Sequence, residues 1–356
     1  MNNRVLVAMS GGVDSAVTAL LLKQQGYECN GVTMKLTPPA ATIGATTKSC
    51  CNPEEIIQAK QVADLLGIPH NVIDFSDDFC KDVVDYFVNT YLAGNTPNPC
   101  VECNRTMKFG KLLQAAYQMD CDKLATGHYA RILQDANGRY LLSCASDLTK
   151  DQTYVLWSLS QEQLSHTLFP LGGLKKSEVR EIAAANGFSN AQKQDSQDIC
   201  FVPDGDYVAF LERYTGKTFP DGDFLDLGGN KLGRHHGMIR YTIGQRKGLG
   251  IAFGEPTYVC AKNAQENTVT LGSNADLFKK DLTAHSINLI ACDRIDSPIR
   301  VQAKVRYRAT PAWATAEQTS ENTLALHFDE PQRAISAGQS VVLYDGDLVI
   351  GGGIID

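Results

Sequence analysis

The sequence predicts an α/β protein in three parts: a doubly wound parallel-sheet domain over residues 1–206, a small mixed domain over 207–282 and a C-terminal antiparallel β-barrel over 283–356. Three observations lead there. Strand-like and helix-like segments alternate through the first half of the chain. A glycine turn joins the first strand directly to the first helix, and the final stretch is a series of short strands broken by Asn, Pro and Gly. At 356 residues the chain has the length of two or three domains and can bury a core without metal or disulfide support.

In the first half the strand candidates are Val5–Met9, Glu28–Met34, His70–Phe75 and Lys123–Thr126. The helix candidates are Ser15–Gln25, Pro53–Leu66, Phe79–Leu92 and Lys108–Gln118, with Gly26 and Gly67 just past two of them, where a left-handed residue commonly ends a helix. This βαβα rhythm implies parallel strands covered on both faces, with ligands taken at the carboxyl ends of the strands. Such a site gathers Ser10–Ser15, Met34 and Gly127. A further helix is read at Glu178–Ala185, after which the helical pattern fades; from Tyr207 glycines thicken and the local charge turns basic. Ile299–Arg308, Thr323–Phe328, Ser340–Tyr344 and Leu348–Ile350 read as barrel strands. The loop Leu36–Ser49, rich in Thr, Ala and Pro, is expected to be mobile.

Composition narrows the function classes. The sequence has no run of about twenty apolar residues and no basic-then-apolar leader, so neither a membrane span nor a secretory signal is expected, and a cytoplasmic protein is. A reducing compartment disfavours structural disulfides, and of the 11 cysteines Cys29, Cys80, Cys121, Cys144, Cys260 and Cys292 read as small core hydrophobes. Net charge is −7, which alone counts against a nucleic-acid partner. The distribution points the other way. Leu227–Gly254 holds no Asp or Glu but carries Lys231, Arg234, Arg240, Arg246 and Lys247 with His235 and His236. Arg105/Lys108/Lys111 and Lys304/Arg306/Arg308 form two more clusters. A basic surface on an acidic protein can hold phosphates, although each cluster alone is also what a solvated face looks like.

The chemistry starts at Ser10-Gly11-Gly12-Val13-Asp14-Ser15, which follows the apolar run ending in Ala8 and Met9 and opens into a helix. Glycines let the backbone N–H groups approach an anion, and the helix N-terminus adds partial positive charge. No lysine follows the glycines as in the common NTPase loop, which argues against γ-phosphate transfer. The hexamer is similar to the pyrophosphate loop of ATP pyrophosphatases, which cleave ATP between the α and β phosphates to adenylate an oxygen. A second site is Thr96-Pro97-Asn98-Pro99-Cys100-Val101-Glu102-Cys103-Asn104-Arg105, where prolines fix the backbone and Cys103 stands beside basic residues that favour a thiolate. Its Cys-x-x-Cys is also compatible with half a zinc site completed by Cys50 and Cys51, or with a redox pair. A third segment, Asp195–Phe201, places Cys200 after a polar turn.

With Ala125-Thr126-Gly127-His128-Tyr129, Lys150-Asp151-Gln152-Thr153-Tyr154, Thr242–Gly250 and the terminal Gly351–Ile355, these segments resemble, in order and over essentially the whole chain, the bacterial tRNA-specific 2-thiouridylases (the MnmA family) of the PP-loop ATP pyrophosphatase superfamily. The resemblance implies ATP-dependent thiolation at C2 of the wobble uridine in the tRNAs for Lys, Glu and Gln. It implies ATP with Mg²⁺ held by Ala8, Met9, Ser10, Gly11, Gly12, Val13, Asp14, Ser15, Met34 and Gly127. Cys200 matches the persulfide carrier and Cys103 its partner nucleophile, ending in a Cys103–Cys200 disulfide. Asn98, Pro99, Cys100, His128, Lys150, Asp151, Gln152, Arg306, Tyr307 and Gln339 match tRNA-facing positions, with Tyr307 placed on a strand between two arginines. A cysteine desulfurase or a sulfur-relay protein is the implied donor. Some family members have Asp where this chain has Cys100, so an acid–base role there is not carried over. The trio Cys100, Cys103 and Cys200 could instead ligate three irons of an iron–sulfur cluster. Two rival readings are another pyrophosphate-loop ligase or amidotransferase, and a non-catalytic tRNA-binding or zinc-binding module.

Overall fold

Val5, Leu6 and Val7 are completely shielded from solvent, as a strand covered on both faces requires. The computed structural model describes residues 3–36, 53–193, 199–202, 204–251 and 254–356. In it these valines and leucine form the middle of β1 (Arg4–Ala8), followed by α1 (Val13–Gln24), β2 (Glu28–Lys35), α2 (Pro53–Leu66), β3 (His70–Asp74), α3 (Ser76–Phe79), α4 (Asp85–Leu92), α5 (Pro99–Glu102) and α6 (Leu112–Gln118). The chain continues as β4 (Lys123–Ala125), β5 (Arg131–Gln134), β6 (Tyr140–Ser143), α7 (Gln161–Ser165), β7 (Thr167–Leu168) and α8 (Lys176–Ala185). Cys80–Val84 and Cys103–Lys111 are π-helical stretches. The helix expected over Phe79–Leu92 is therefore three pieces, and the one expected from Lys108 begins at Pro99. Most of the loop expected to be mobile, together with Cys50 and Cys51, lies outside the described residues.

The chain divides into two compact units, one made of Met1–Val84, Pro99–Asp206 and Asp347–Ile350, the other of Asp85–Asn98, Tyr207–Gly346 and Gly351–Asp356. In the first unit the parallel sheet runs β3-β2-β1-β4-β7. Strand order reverses at β1, which has β2 on one side and β4 on the other, so the crevice beyond the carboxyl ends of β1 and β4 is a topological switch point. Val5 and Val7 share one core with Val17 and Leu20 of α1, Val62 and Leu66 of α2 and Val179 of α8. Leu6 points to the opposite face by strand alternation, and α6 packs against β4. The hairpin β5–β6 was not expected from the sequence, although its turn carries the Asn137-Gly138 signal and Asp135 accepts from the N–H groups of Asn137 and Arg139, both at 2.8 Å.

The second unit contains α9 (Tyr207–Thr215), β8 (Gly222–Leu225), β9 (Lys231–His235), β10 (Tyr258–Asn263), β11 (Thr268–Gly272), β12 (Phe278–Leu289), β13 (Ile299–Lys304), β14 (Ala312–Ser320), β15 (Thr323–Arg333), β16 (Ser340–Asp345) and most of β17 (Leu348–Ile355). Helix α9 stands where the sequence suggested only a fading helical pattern. It packs on α4 through a stacked Tyr91–Tyr207 pair at 4.8 Å and an edge-on Phe87–Phe210 pair at 6.2 Å, and the Tyr214 hydroxyl donates to Asp85 at 2.9 Å. A small mixed sheet of order β10-β11-β8-β9 follows. Beyond it β12-β15-β14-β13-β16-β17 closes by antiparallel pairing of β17 with β12. Strands β12 and β14 went unread because their signal is weak: the buried positions of β14 are only Ala314 and Ala316. β13 ends at Lys304, so Tyr307 lies in the following turn and not on a strand as expected.

The expected basic surface over 227–254 is narrower than its sequence suggests. Lys231 pairs with Asp223 at 2.7 Å, Arg240 with Glu212 at 2.9 Å, and His236 lies 3.2 Å from Asp221, so part of this exposed charge is offset by carboxylates, while Arg234, Arg246 and Lys247 are also exposed. His235 is fully buried against Phe224 and Tyr241; its Nδ1 accepts from the Gly237 N–H and its Nε2 donates to the Asn267 carbonyl, both at 3.1 Å. Among the described residues no helix is long and apolar enough to cross a membrane.

Burial pushes the His235 pKa below its ordinary value. Below about pH 6.5 the unfolded chain takes up a proton that the folded imidazole resists, so stability falls as pH falls, by at most about 1.4 kcal/mol per pH unit for this group. Urea unfolding between pH 7.5 and 5.5 should show a shallower acid loss for His235→Gln than for the wild type; equal slopes would assign the acid sensitivity elsewhere.

Candidate functional site

The loop after β1 is shaped by its neighbours. Gly11 has φ +73°, and a Cβ there would stand 2.5 Å from the Glu55 carbonyl oxygen, so only glycine fits. Gly12 caps α1 in an extended conformation without a side-chain cap. The loop's carbonyls are held from behind: Asn190 Nδ2 donates to the Gly11 oxygen at 3.0 Å, and the Ser15 hydroxyl donates to the Gly12 oxygen at 3.0 Å while accepting from the Ser10 N–H at 3.2 Å. The first N–H groups of α1, from Val13 on, have no intrahelical acceptor and carry the positive end of the helix dipole. Gly127, beyond β4, is pressed so close that a Cβ would lie 3.0 Å from Asp14 Cβ and from the Ser15 nitrogen. Met34 sits at the carboxyl end of β2, which adjoins β1. The residues expected at the cradle, Ala8 to Ser15, Met34 and Gly127, thus lie at the switch point of one sheet.

Asp14 is already committed. Lys176 Nζ reaches both of its carboxylate oxygens at 2.7 Å, and the Tyr129 hydroxyl donates to one of them at 2.7 Å. Lys176, at 8% exposure, also lies 5.7 Å from the centre of the Tyr129 ring. Sequence reasoning missed Lys176, Asn190 and the Tyr129 hydroxyl as site members. One signal was available: Lys175 and Lys176 start a helix, where the dipole disfavours cations, so a lysine placed there needs a local anion.

Cys103 opens the π-helical stretch after α5 and is buried, whereas Cys100 on α5 is exposed. Long π-helical runs are rare and recur at functional sites. The basic cluster beside Cys103 is largely neutralised: Arg105 pairs with Glu102 at 2.5 Å and Lys111 with Asp78 at 2.7 Å. Cys200 is half-buried in a turn closed by the Val202 N–H on the Ile199 carbonyl at 2.8 Å; residues 194–198 of its motif lie outside the described residues. Phe201 packs edge-on against Phe79 at 5.6 Å, and α3, which ends at Phe79, is tied by the Asp78–Lys111 pair to the stretch that begins with Cys103. The two cysteine segments are therefore joined through α3. Of the cysteines read as core, Cys29, Cys121 and Cys144 are buried and burial pushes the Cys29 thiol up to about 11; Cys80, Cys260 and Cys292 are half-buried. Among the described residues no three His, Cys, Asp or Glu side chains converge as a metal-ligand set, so Cys100, Cys103 and Cys200 do not fit an iron–sulfur cluster as they stand.

Several residues expected to face RNA act as internal struts. His128 is buried between Phe109 and Phe169, with Nδ1 2.7 Å from Thr126 Oγ1 and Nε2 3.5 Å from Lys108 Nζ. Burial first and the Lys108 charge second hold its pKa well below the usual value, so the ring is neutral. Asp151 accepts from the Ala145 N–H at 2.9 Å and the Thr153 hydroxyl at 2.5 Å, and Gln152 Oε1 accepts from the Tyr129 N–H at 2.9 Å. In the second unit Arg306 holds the carbonyls of Ala334 at 2.5 Å and Ile243 at 3.2 Å, and Gln339 holds those of Thr96 at 2.9 Å and Pro97 at 3.2 Å, next to Asn98. Tyr307 is 40% exposed.

Three family models match the chain: a tRNA methyl transferase HUP domain over residues 3–204, a tRNA methyl transferase PRC-barrel domain over 208–273 and an aminomethyltransferase beta-barrel domain over 279–355. The chain is 50% identical over 357 residues to the tRNA-specific 2-thiouridylase MnmA of Clostridioides difficile (strain 630), covering 100% of this chain and 99% of that protein. It is 47% identical over 355 residues to the tRNA-specific 2-thiouridylase MnmA of Clostridium acetobutylicum, covering 100% of both. A solved U34-tRNA thiolase, NcsA from Methanococcus maripaludis with its 4Fe-4S cluster, overlaps 60% of this chain and 67% of that one at 20% identity and a TM-score of 0.35, too slight a likeness to transfer a cluster.

A lysine held on Asp14 beside a helix N-terminus and a glycine turn is the charge pattern an anion site would need. Lys176→Gln should lower the affinity for ATP or pyrophosphate by about tenfold to a hundredfold, the worth of a charge-assisted hydrogen bond. Titration calorimetry reads this directly, and an unchanged affinity would separate Lys176 from the phosphates.

Proposed function

The chain belongs to the family of tRNA-specific 2-thiouridylases, and we propose that it replaces O2 of the wobble uridine with sulfur in the tRNAs for Lys, Glu and Gln, at the expense of ATP. The observation that carries this reading is the gathering, within one unit, of a phosphate-shaped cradle at a sheet switch point and two cysteine segments joined through α3. A uracil carbonyl oxygen is a poor leaving group, so it must be activated before sulfur can displace it. In this reading O2 attacks the α-phosphate of ATP, pyrophosphate leaves into the cradle formed by Gly11, Gly12 and the start of α1, and AMP becomes the leaving group. Magnesium would come with the nucleotide, held mainly by phosphates and water, with Asp14 the nearby carboxylate. The flat base must leave its stack for C2 to be reached.

Sulfur then arrives as a persulfide on Cys200, delivered by a cysteine desulfurase or a relay protein. Its terminal sulfur attacks C2 and expels AMP, giving a Cys200–S–S–C2 adduct. The Cys103 thiolate attacks the Cys200 sulfur, releasing thiouridine and leaving a Cys103–Cys200 disulfide, which a cellular dithiol reduces with two electrons. A thiol is a few per cent thiolate near neutral pH and thiolate is intrinsically very nucleophilic, so no separate strong base is needed, and Cys100 need not replace a carboxylate. No step passes through an iron–sulfur cluster. Asn98, Pro99, Cys100, Lys150 and Tyr307 are the residues we assign to direct tRNA contact. Asp151, Gln152, Arg306, Gln339 and the neutral His128 shape the loops that present them.

Labelled sulfur should appear at the wobble uridine of unmodified tRNA for Lys when the protein is supplied with ATP, Mg²⁺, a desulfurase and cysteine, and should vanish for Cys200→Ser. Cys103→Ser should stall at the persulfide or adduct, well over a hundredfold slower in turnover. Cleavage of ATP to AMP that is indifferent to both serine variants would favour another ligase of the superfamily. RNA binding with no pyrophosphate release would favour a binding module.

A further inference from the structure

We propose that Tyr129 is a positioning residue for the Asp14–Lys176 pair, and that Gln152, by clamping Tyr129, makes nucleotide engagement depend on the segment 150–154; that RNA touches this segment rests on the thiolation reading. Tyr129 is 3% exposed and bound at both ends. Its hydroxyl donates to Asp14 Oδ1 at 2.7 Å, the same oxygen that Lys176 Nζ reaches at 2.7 Å. Rotation of the carboxylate would break one of these bonds, so the phenol fixes where the lysine ammonium is presented. Its main chain is locked just as tightly: the Tyr129 N–H donates to Gln152 Oε1 at 2.9 Å, and the Tyr129 carbonyl accepts from the Gln152 N–H at 2.9 Å.

The same segment reaches the other half of the chemistry. Gln152 leads into the turn Thr153–Val155, whose first residue is fastened by Asp151, and the Val155 carbonyl accepts from Asn104 Nδ2 at 2.8 Å. Asn104 is 1% exposed and directly follows Cys103. A chain of hydrogen bonds thus runs from Asp14 through Tyr129, Gln152 and Val155 to the start of the cysteine helix. If RNA engaging residues 150–154 favours the clamped state, it raises ATP affinity, and by linkage ATP raises RNA affinity by the same factor.

The test measures ATP affinity of the full chain by calorimetry with and without unmodified tRNA, alongside KM for ATP, kcat and melting temperature. Tyr129→Phe keeps the ring under Lys176 and removes only the hydroxyl. It should weaken ATP binding by about tenfold and raise KM for ATP more than it lowers kcat, while lowering the melting temperature by only a few degrees. Gln152→Ala should bring the ratio of ATP affinities with and without tRNA toward one, and Gln152→Glu, which keeps the accepting oxygen, should restore it. Wild-type ATP affinity in Tyr129→Phe would overturn the positioning role. A wild-type ratio of one, or equal defects in Gln152→Ala and Gln152→Glu, would overturn the clamp. Because nucleotide binding is read without sulfur transfer, a wild type that thiolates nothing while Tyr129→Phe still weakens ATP would sink the thiolation reading and leave the positioning role supported.

Discussion

The first unit turns on one ion pair, Lys176 on Asp14, whose side chains are 10% and 30% exposed. It joins the first turn of α1 to the first residue of α8, two helices that also share an apolar core. Shielded pairs are expensive to desolvate, and removing one partner typically costs about 3–5 kcal/mol because the other charge is stranded. Their value lies more in specificity than in net stability. Here the geometry is bidentate, and it fixes a cation at the N-terminus of one helix and an anion at the N-terminus of another. The close approach of Gly127, the seat of Tyr129 and the opening of the cradle all follow from where that pair sits.

Much of the first unit was legible because its physics is local. Val5–Val7 must be covered on both faces, a helix follows a glycine turn, and four parallel strands fall where apolar runs predict them. Where packing decides, the sequence was a poorer guide. The barrel strand β14 hides its core positions in alanines, α9 depends on aromatic partners from α4, and the π-helical stretches have no pattern of their own. The cradle could be read from six consecutive residues, but its lysine could not, since Asp14 and Lys176 are 162 positions apart. Strut residues were the least legible, since a polar side chain that ties down a loop and one that grips RNA look alike until the partner is seen.

Charge tells a similar story. Clusters that look basic in the sequence are partly spent on carboxylates brought in by the fold, as with Arg105 on Glu102, Lys111 on Asp78 and Arg240 on Glu212. The field these clusters present is therefore weaker than their residue counts suggest.

The chain crosses between the two units more than once: Asp85–Asn98 belongs to the second unit, and Asp347–Ile350 to the first, with Leu348 pairing to Ser143 before the last residues close the barrel against β12. During synthesis, therefore, neither unit possesses all of its strands until almost the whole of this chain has left the ribosome. Folding cannot proceed as one finished module after another, and the nascent chain must wait with an open sheet edge and an unclosed barrel. Loss of β17 would therefore remove pairing partners from both units at once, from Ser143 in the first and from β12 in the second.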